Sequence, residues 1–457
     1  METPAFRKVP WMSLLIGLGV RIALAPISAH PWDTNVFFDT AAAILHGQSF
    51  YATTSYSYPP VWAGFLAIVG VLYQPLSVPL GAHPLAWAEV DLIMGVPTGL
   101  GSPLLVDWLF LLLMKAPLIA GDLLTGILLA RIVAQRLGQP EKSGLAFSAF
   151  FLNPFVIWIS SVWGMFDILP TYFVILGTLL FMDKKGVAAG IAFGIGIGLK
   201  YFPALLVIAL LLGLRKSQDR RTARNLVLGL IGVIALFSLP FLLAEPGEYL
   251  RGTLSPTAGQ TTGQLSIWVV AHYLGILNLP LWASALNVGA ILGGIVFVSW
   301  CIGSRSKGGG STRWIDLSLL SILLIYVLFR LMNDQYAVWI IPFLTLDWVL
   351  RRGPRWSLAL FSALLLVSGL VNVGHYSFFL PLITISPGLA PFVPQMLFNE
   401  LARAILGMVV WVVAAYLLFR RLRDLFSKGE MLRLITGSIR SILASGRRWV
   451  SSRTGAR

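Results

Sequence analysis

The chain has 457 residues, 57% hydrophobic and only 12% charged, with a mean hydropathy of +0.81. A soluble domain carries roughly a quarter charged residues, so this composition excludes one and predicts an all-α polytopic membrane protein. The net charge of +15 is no nucleic-acid signature, because most of it lies in short polar gaps and a tail that suit anionic lipid headgroups.

Cut into apolar spans and polar gaps, the sequence places all but six of its 34 Lys and Arg residues in alternate gaps. That alternation is the positive-inside pattern and puts both termini in the cytoplasm. Arg7 and Lys8 precede an apolar run without a small-residue cleavage site, which predicts a retained first helix over about 11–29. An external loop over about 30–104 follows, with Asp33, Asp39, Glu89 and Asp91 and no Lys or Arg. Its apolar stretches near 61–74 and 84–96 read as membrane-surface helices, although two spans there would keep the same alternation.

Further spans are expected at about 105–130, 144–161, 168–182, 186–200, 203–214 and 226–243. A second external loop over about 244–282 leads to spans near 283–302, 314–329, 336–350, 356–374 and 397–418. The expectation is about twelve transmembrane helices forming one catalytic unit over 1–418. A basic amphipathic cytoplasmic tail, 419–457, then has the spacing of a helix lying on the membrane, as a lipid anchor or a partner-binding segment.

The six basic residues that topology leaves over are Arg21, Lys115, Lys200, Arg251, Arg330 and Arg403. Charge within or beyond a bilayer is costly, so each is a candidate for function. Asp33 and Asp39 flank the outer end of the first span. One acid there reads as solvated, but two acids followed by a Tyr-rich stretch with Tyr58 point to a base at a half-dry surface. Lys115 and Asp122 lie seven residues apart on one helix face, about 10 Å from each other. They are either a buried electrostatic adapter or two ends of a polar site.

Lys200 ends a glycine repeat (Gly186, Gly190, Gly194, Gly198) that permits close helix packing. It either snorkels or holds a phosphate. Asp167 closes an outer turn, Trp163-Gly-Met-Phe-Asp167, and Arg330 precedes another, Asn333-Asp334-Gln335-Tyr336. All these groups fall on one side of the membrane. No GxxxxGK[ST] or GxGxxG phosphate loop is present, so a lipid-borne donor fits better than a cytosolic nucleotide. Its phosphate would meet Lys200, Arg251 and Arg330 at the outer headgroup level. A divalent cation is not indicated, and the single Cys301 excludes both an internal disulfide and a thiolate metal site.

Several motifs resemble those of a known family: D-x5-D-x-A-A from Asp33, H-G-Q-S-F-Y from His46, Y-S-Y-P-P from Tyr56 and K-A-P-L-I-A-G-D from Lys115 to Asp122. L-N-P before W-G-M-F-D, L-K-Y-F-P and N-D-Q-Y-x-x-W-x-x-P complete the set, over about residues 30–342. Together they resemble GT-C-fold glycosyltransferases, in particular glycosylphosphatidylinositol mannosyltransferase I and microbial polyprenyl-phosphate-mannose-dependent enzymes. The resemblance implies a polyprenyl- or dolichyl-phosphate-sugar donor, a glycolipid or lipid-linked acceptor outside the cytoplasm, and inversion at the anomeric carbon. It further implies an acid in the first external loop as catalytic base, at the position of Asp33. Asp39, Tyr58, Asp167, Asn333, Asp334 and Gln335 are then candidates for holding sugar or acceptor. Where that enzyme has D-x-D, this chain has Pro31-Trp32-Asp33, and the missing acid weakens any metal requirement.

Two other readings stay open. About twelve spans with ionisable groups at depth (Arg21, Lys115, Asp122) would suit a secondary transporter, although the two halves share no motifs. A charged cavity could also pass a lipid-linked sugar across the membrane as a flippase. The sequence names neither the sugar nor the acceptor. For a prokaryotic source the membrane would be the plasma membrane.

Overall fold

Proline and short polar caps set the starts of the helices that matter most for the site. His30 caps the first of them and Pro31 takes a first-turn position, where its missing N–H costs nothing. Pro60 starts another helix in the same way. Asp107 caps a third by accepting from the amides of Leu109 and Phe110, and Asn153 a fourth through Phe155 and Val156.

The computed structural model describes residues 10–83, 85–86, 104–214, 220–259, 263, 265–270, 281–304, 312–350, 352–372, 378–386, 388 and 400–426. In chain order the helices are α1 (Trp11–Leu24), α2 (Pro31–Leu45), α3 (Phe50–Thr53), α4 (Pro60–Ser77) and α5 (Trp108–Arg131). Next come α6 (Ser143–Phe151), α7 (Pro154–Ile157), α8 (Ile168–Met182), α9 (Gly186–Leu199), α10 (Phe202–Leu214) and α11 (Arg220–Ala244). The rest are α12 (Pro246–Gly259), α13 (Leu281–Ser304), α14 (Arg313–Leu328), α15 (Ile341–Val349), α16 (Ser357–Asn372), α17 (Leu380–Ile385) and α18 (Glu400–Phe426). The strand content of the described residues is one two-residue antiparallel pair, Leu85–Ala86 against Leu104–Leu105.

Among the described residues, five helices are long and apolar enough to cross a membrane: Pro60–Ser77, Trp108–Arg136, Arg220–Ala244, Leu286–Gly303 and Leu401–Asp424. A bent pair, Pro140–Phe151 with Pro154–Trp163, makes a sixth if it acts as one span. Shorter apolar helices, α1, α8 and α9 among them, fill the space between. Among the described residues, the segment expected as the first external loop is mostly helical, and its 61–74 stretch forms a helix of spanning length with Ile68, Val71 and Leu72 exposed on one side. Most of the 84–96 stretch, and the tail from 427, lie outside the described residues.

Two spans differ from the expected bounds for local reasons. The first helix stops at Leu24, because Pro26, two residues on, has no N–H to continue the hydrogen-bond ladder. The span expected over 144–161 bends by 46° at Leu152-Asn153-Pro154. Pro154 lacks an N–H and Asn153 opens a new helix there, so Trp158–Trp163 leave on a different axis.

The glycine repeat of α9 does what its spacing suggests. A methyl group on Gly190 would strike the Leu226 carbonyl of α11, and one on Gly186 the Thr222 carbonyl. Gly198 instead faces Val61 of α4. The bundle thereby acquires two polar ends. At one, Asp33, Asp167 and Lys200 gather. At the other lie the ion pairs Arg136–Asp183, Arg421–Asp347 and Arg352–Asp316, at or near the basic gaps.

Candidate active site

Asp33 sits in the first turn of α2, its side chain 25% exposed and therefore reachable. Its Oδ2 accepts the indole N–H of Trp163 at 2.7 Å and faces His30 Nδ1 at 2.9 Å. Burial pushes the carboxyl up, but the charge and hydrogen bond of His30, the Trp163 N–H and the field of Lys200 together hold it below the ordinary value. Asp33 is thus an ionised acid with Oδ2 engaged twice, and no hydrogen bond among the described residues occupies Oδ1.

Trp163 reaches this carboxylate because of the turn that follows it. Gly164 adopts φ 89°, a left-handed conformation that a side chain would strain. A Cβ there would also meet Met114 Cε at 2.9 Å and Lys115 Cε at 3.0 Å. The turn carries Phe166 into a stack on Trp62 (4.7 Å, 20°) and buries Asp167 fully.

Asp167 Oδ1 accepts from Lys200 Nζ at 2.6 Å and from the Trp339 indole at 2.8 Å. Its Oδ2 is buried without a partner in the structure. Lys200 is boxed by rings, 4.4 Å from the centroid of Tyr336, 5.1 Å from Phe166, 5.3 Å from Tyr58 and 5.9 Å from Trp339. Cation–π attraction strengthens when the cation is desolvated, so the box stabilises a charge that burial alone would disfavour. Trp339 in turn stacks on Phe202 at 3.6 Å and on Tyr336 at 4.8 Å.

The structure therefore brings together Asp33, Tyr58, Asp167, Lys200 and the Asn333–Trp339 turn, from four separate stretches of sequence. It does not bring Asp39 to them. Six residues along α2 turn that side chain about 240° from Asp33, where it is half-buried, bonded to Asn35, and pushed up by burial. Arg251 is 62% exposed on α12 and pairs with Glu248. Asp334 is buried and accepts from Ser368 of α16 at 2.7 Å, and Gln335 is buried beside it. Arg330 is largely buried, and its carbonyl takes the amide of Gly263 at 2.8 Å, lacing the second external loop to this turn.

Lys115 and Asp122 have separate partners. Lys115 Nζ donates to the carbonyls of Ala25 (3.0 Å), Ser161 (2.9 Å), Val162 (3.2 Å) and Ser28. Asp122 pairs with Arg21 at 2.8 Å and accepts from Ser160 at 2.6 Å. Sequence reasoning gave no role to His30, Tyr336 or Trp339. The signal was there in the density of aromatic residues inside the motifs, which is high for loops meant only to connect spans. Among the described residues no group of three His, Cys, Asp or Glu side chains stands where it could hold a metal ion.

With this geometry in place, the family comparison covers part of the site: Tyr58, Asp167 and Lys200 lie within it, Asp33 and the Asn333–Trp339 turn outside it. No curated protein matches the chain. The model of glycosyltransferase family 87 matches residues 56–328, more than half of the chain, from the Tyr-Pro-Pro motif through Lys115, Asp167 and Lys200 to the end of α14. That match is consistent with a GT-C type enzyme, and the chain belongs to glycosyltransferase family 87.

Proposed function

We propose that the protein transfers a hexose, mannose by its motif resemblance, from a polyprenyl- or dolichyl-phosphate donor to a lipid-linked or glycolipid acceptor outside the cytoplasm, with inversion. The observation that carries this reading is the meeting of Asp33 with the Asp167–Lys200 pair across three otherwise distant segments. An ionised carboxylate with one free oxygen stands in the field of a caged ammonium, so a base and a phosphate-stabilising cation share one site. In-line displacement needs those two on opposite sides of the reacting carbon.

In this mechanism Asp33 Oδ1 takes the proton of the acceptor hydroxyl. The hydroxyl oxygen attacks the anomeric carbon from the face opposite the phosphate, and the bond from that carbon to the phosphate oxygen breaks. Lys200 has three N–H donors and spends one on Asp167, leaving others for the departing phosphate, with Arg330 as a second candidate cation. The unpartnered Oδ2 of Asp167 suits a sugar hydroxyl. Tyr58 and Tyr336 offer ring faces to the sugar, and Asn333 a polar side chain.

The support for a transporter was the set of ionisable groups at depth. Each of these now has a packing partner: Arg21 with Asp122, and Lys115 with four carbonyls. The basic gaps gather at the end away from the site, which favours about twelve spans with an active site facing outward.

The test is reconstitution into vesicles with radiolabelled polyprenyl-phosphate-mannose and a glycolipid acceptor. Label should appear on the acceptor with the wild-type protein and be absent with Asp33→Asn that still elutes as a folded species. Turnover retained by Asp33→Asn would overturn the assignment of the base. Leaflet exchange of the donor without transfer would overturn the enzyme reading in favour of a flippase.

A further inference from the structure

His30 belongs to no motif that carried the functional reading, yet it is built firmly against Asp33. Its ring stacks on Trp163 with centroids 4.8 Å apart and planes 9° from parallel, and meets the edge of Phe378 at 5.5 Å. Its amide donates to the Trp163 carbonyl at 3.0 Å. The ring is therefore held in position, and its Nδ1 lies 2.9 Å from Asp33 Oδ2. The same nitrogen is 3.3 Å from the Asp33 amide.

These two contacts ask opposite things of Nδ1. If Nδ1 accepts from the amide, its lone pair also points at a carboxylate oxygen across the shorter distance. An ionised carboxylate has no proton to share, so the proton between them belongs to the imidazole. Nδ1–H then donates to Oδ2, and in that form the ring gives up the longer capping contact from the Asp33 amide, which needs the same lone pair. With the Trp163 indole on the same oxygen, two donors fix the carboxylate plane and leave Oδ1 to meet the acceptor.

Resting on the assignment of Asp33 as base, we infer that His30 is its positioning partner: its stacked, fixed ring holds the carboxylate through Oδ2 so that Oδ1 faces the acceptor.

Two substitutions separate donation from stacking. Asn places an amide N–H where Nδ1–H stands; Phe keeps the ring stack but cannot donate. Turnover of each would be followed with polyprenyl-phosphate-mannose and the glycolipid acceptor. His30→Phe should lose roughly 10- to 100-fold in kcat with little change in KM, as expected when a positioning hydrogen bond to a base is removed, and His30→Asn should recover most of that loss. Full activity in His30→Phe, or His30→Asn as impaired as His30→Phe, would overturn the inference. Asp33→Asn, assayed alongside, distinguishes the two failures: if it is active, the base assignment has failed, and if it is dead while both His30 variants behave as wild type, only the role of His30 has.

Discussion

Asp33 and Trp163, 130 residues apart in the chain, are joined by one hydrogen bond, from indole Nε1 to carboxylate Oδ2 at 2.7 Å. That bond connects α2 to the turn after the bent helix pair, and through the turn to Asp167 and Lys200. It also favours the charged form of Asp33, so its removal has a predictable sign.

Trp163→Phe keeps the stack on His30 and deletes the donor. Losing a bond to the ionised carboxylate raises its pKa, so the acid side of the pH–rate profile should move to higher pH, with kcat down roughly tenfold. A profile that stays put, or moves to lower pH, would remove Trp163 from the account of the site.

Lys115→Met leaves four buried carbonyls without their shared donor. Unsatisfied buried polar groups cost about 1–3 kcal/mol each, and even partial relaxation leaves a loss on the order of 3 kcal/mol. Thermal unfolding in detergent should show a clear drop in midpoint. A midpoint within a degree of wild type would mean that the carbonyls find other partners and that Lys115 is not a structural fastener.

The glycine face of α9 gives a paired prediction. Gly190→Ala drives a methyl into the Leu226 carbonyl, whereas Gly232→Ala, on α11, meets nothing within 4 Å. The first should destabilise by roughly 1–3 kcal/mol, and the second should be neutral or stabilise by up to about 1 kcal/mol, as for Gly to Ala within a helix. Equal melting temperatures for the two variants would contradict the close α9–α11 approach.

Asp39 is the control among the acids. Burial raises its pKa, so the folded state binds its proton more readily than the unfolded chain does. Its contribution to stability therefore falls as pH rises through the window between the two values, and it costs stability at neutral pH. Asp39→Asn should melt no lower than wild type at pH 7 and keep turnover within about threefold. A loss of activity comparable with that of Asp33→Asn would bring Asp39 back into the site.

What the sequence made legible was side-chain chemistry and period. Charge alternation, the glycine repeat and the acid-bearing loops are visible as residue types at spacings, and the motifs between them pointed to a GT-C type glycosyltransferase, with which the family 87 match is consistent. The fate of Lys115 was not visible, because its four partners are backbone carbonyls of Ala25, Ser28, Ser161 and Val162, and a carbonyl has no residue-type signature. Seven-residue spacing suggested one polar site for Lys115 and Asp122, but the neighbouring helices supplied each with a different partner. The bend at Asn153-Pro154 was written in the chain, yet apolar composition continues across it and the span read as unbroken. His30 was passed over because a lone histidine carries meaning only once its neighbours in space are known.

The interlock between α9 and α11 reaches beyond packing. Backbones that approach this closely cannot slide or roll past each other, so Lys200, at the end of α9, stands on a stiff mast. In the proposed reaction the cation is then already in position when a lipid-borne substrate arrives, and adjustment to sugars of different shape would fall to α2, the short rod that carries Asp33. Selectivity for the acceptor would accordingly evolve by remodelling that rod while the mast stays fixed.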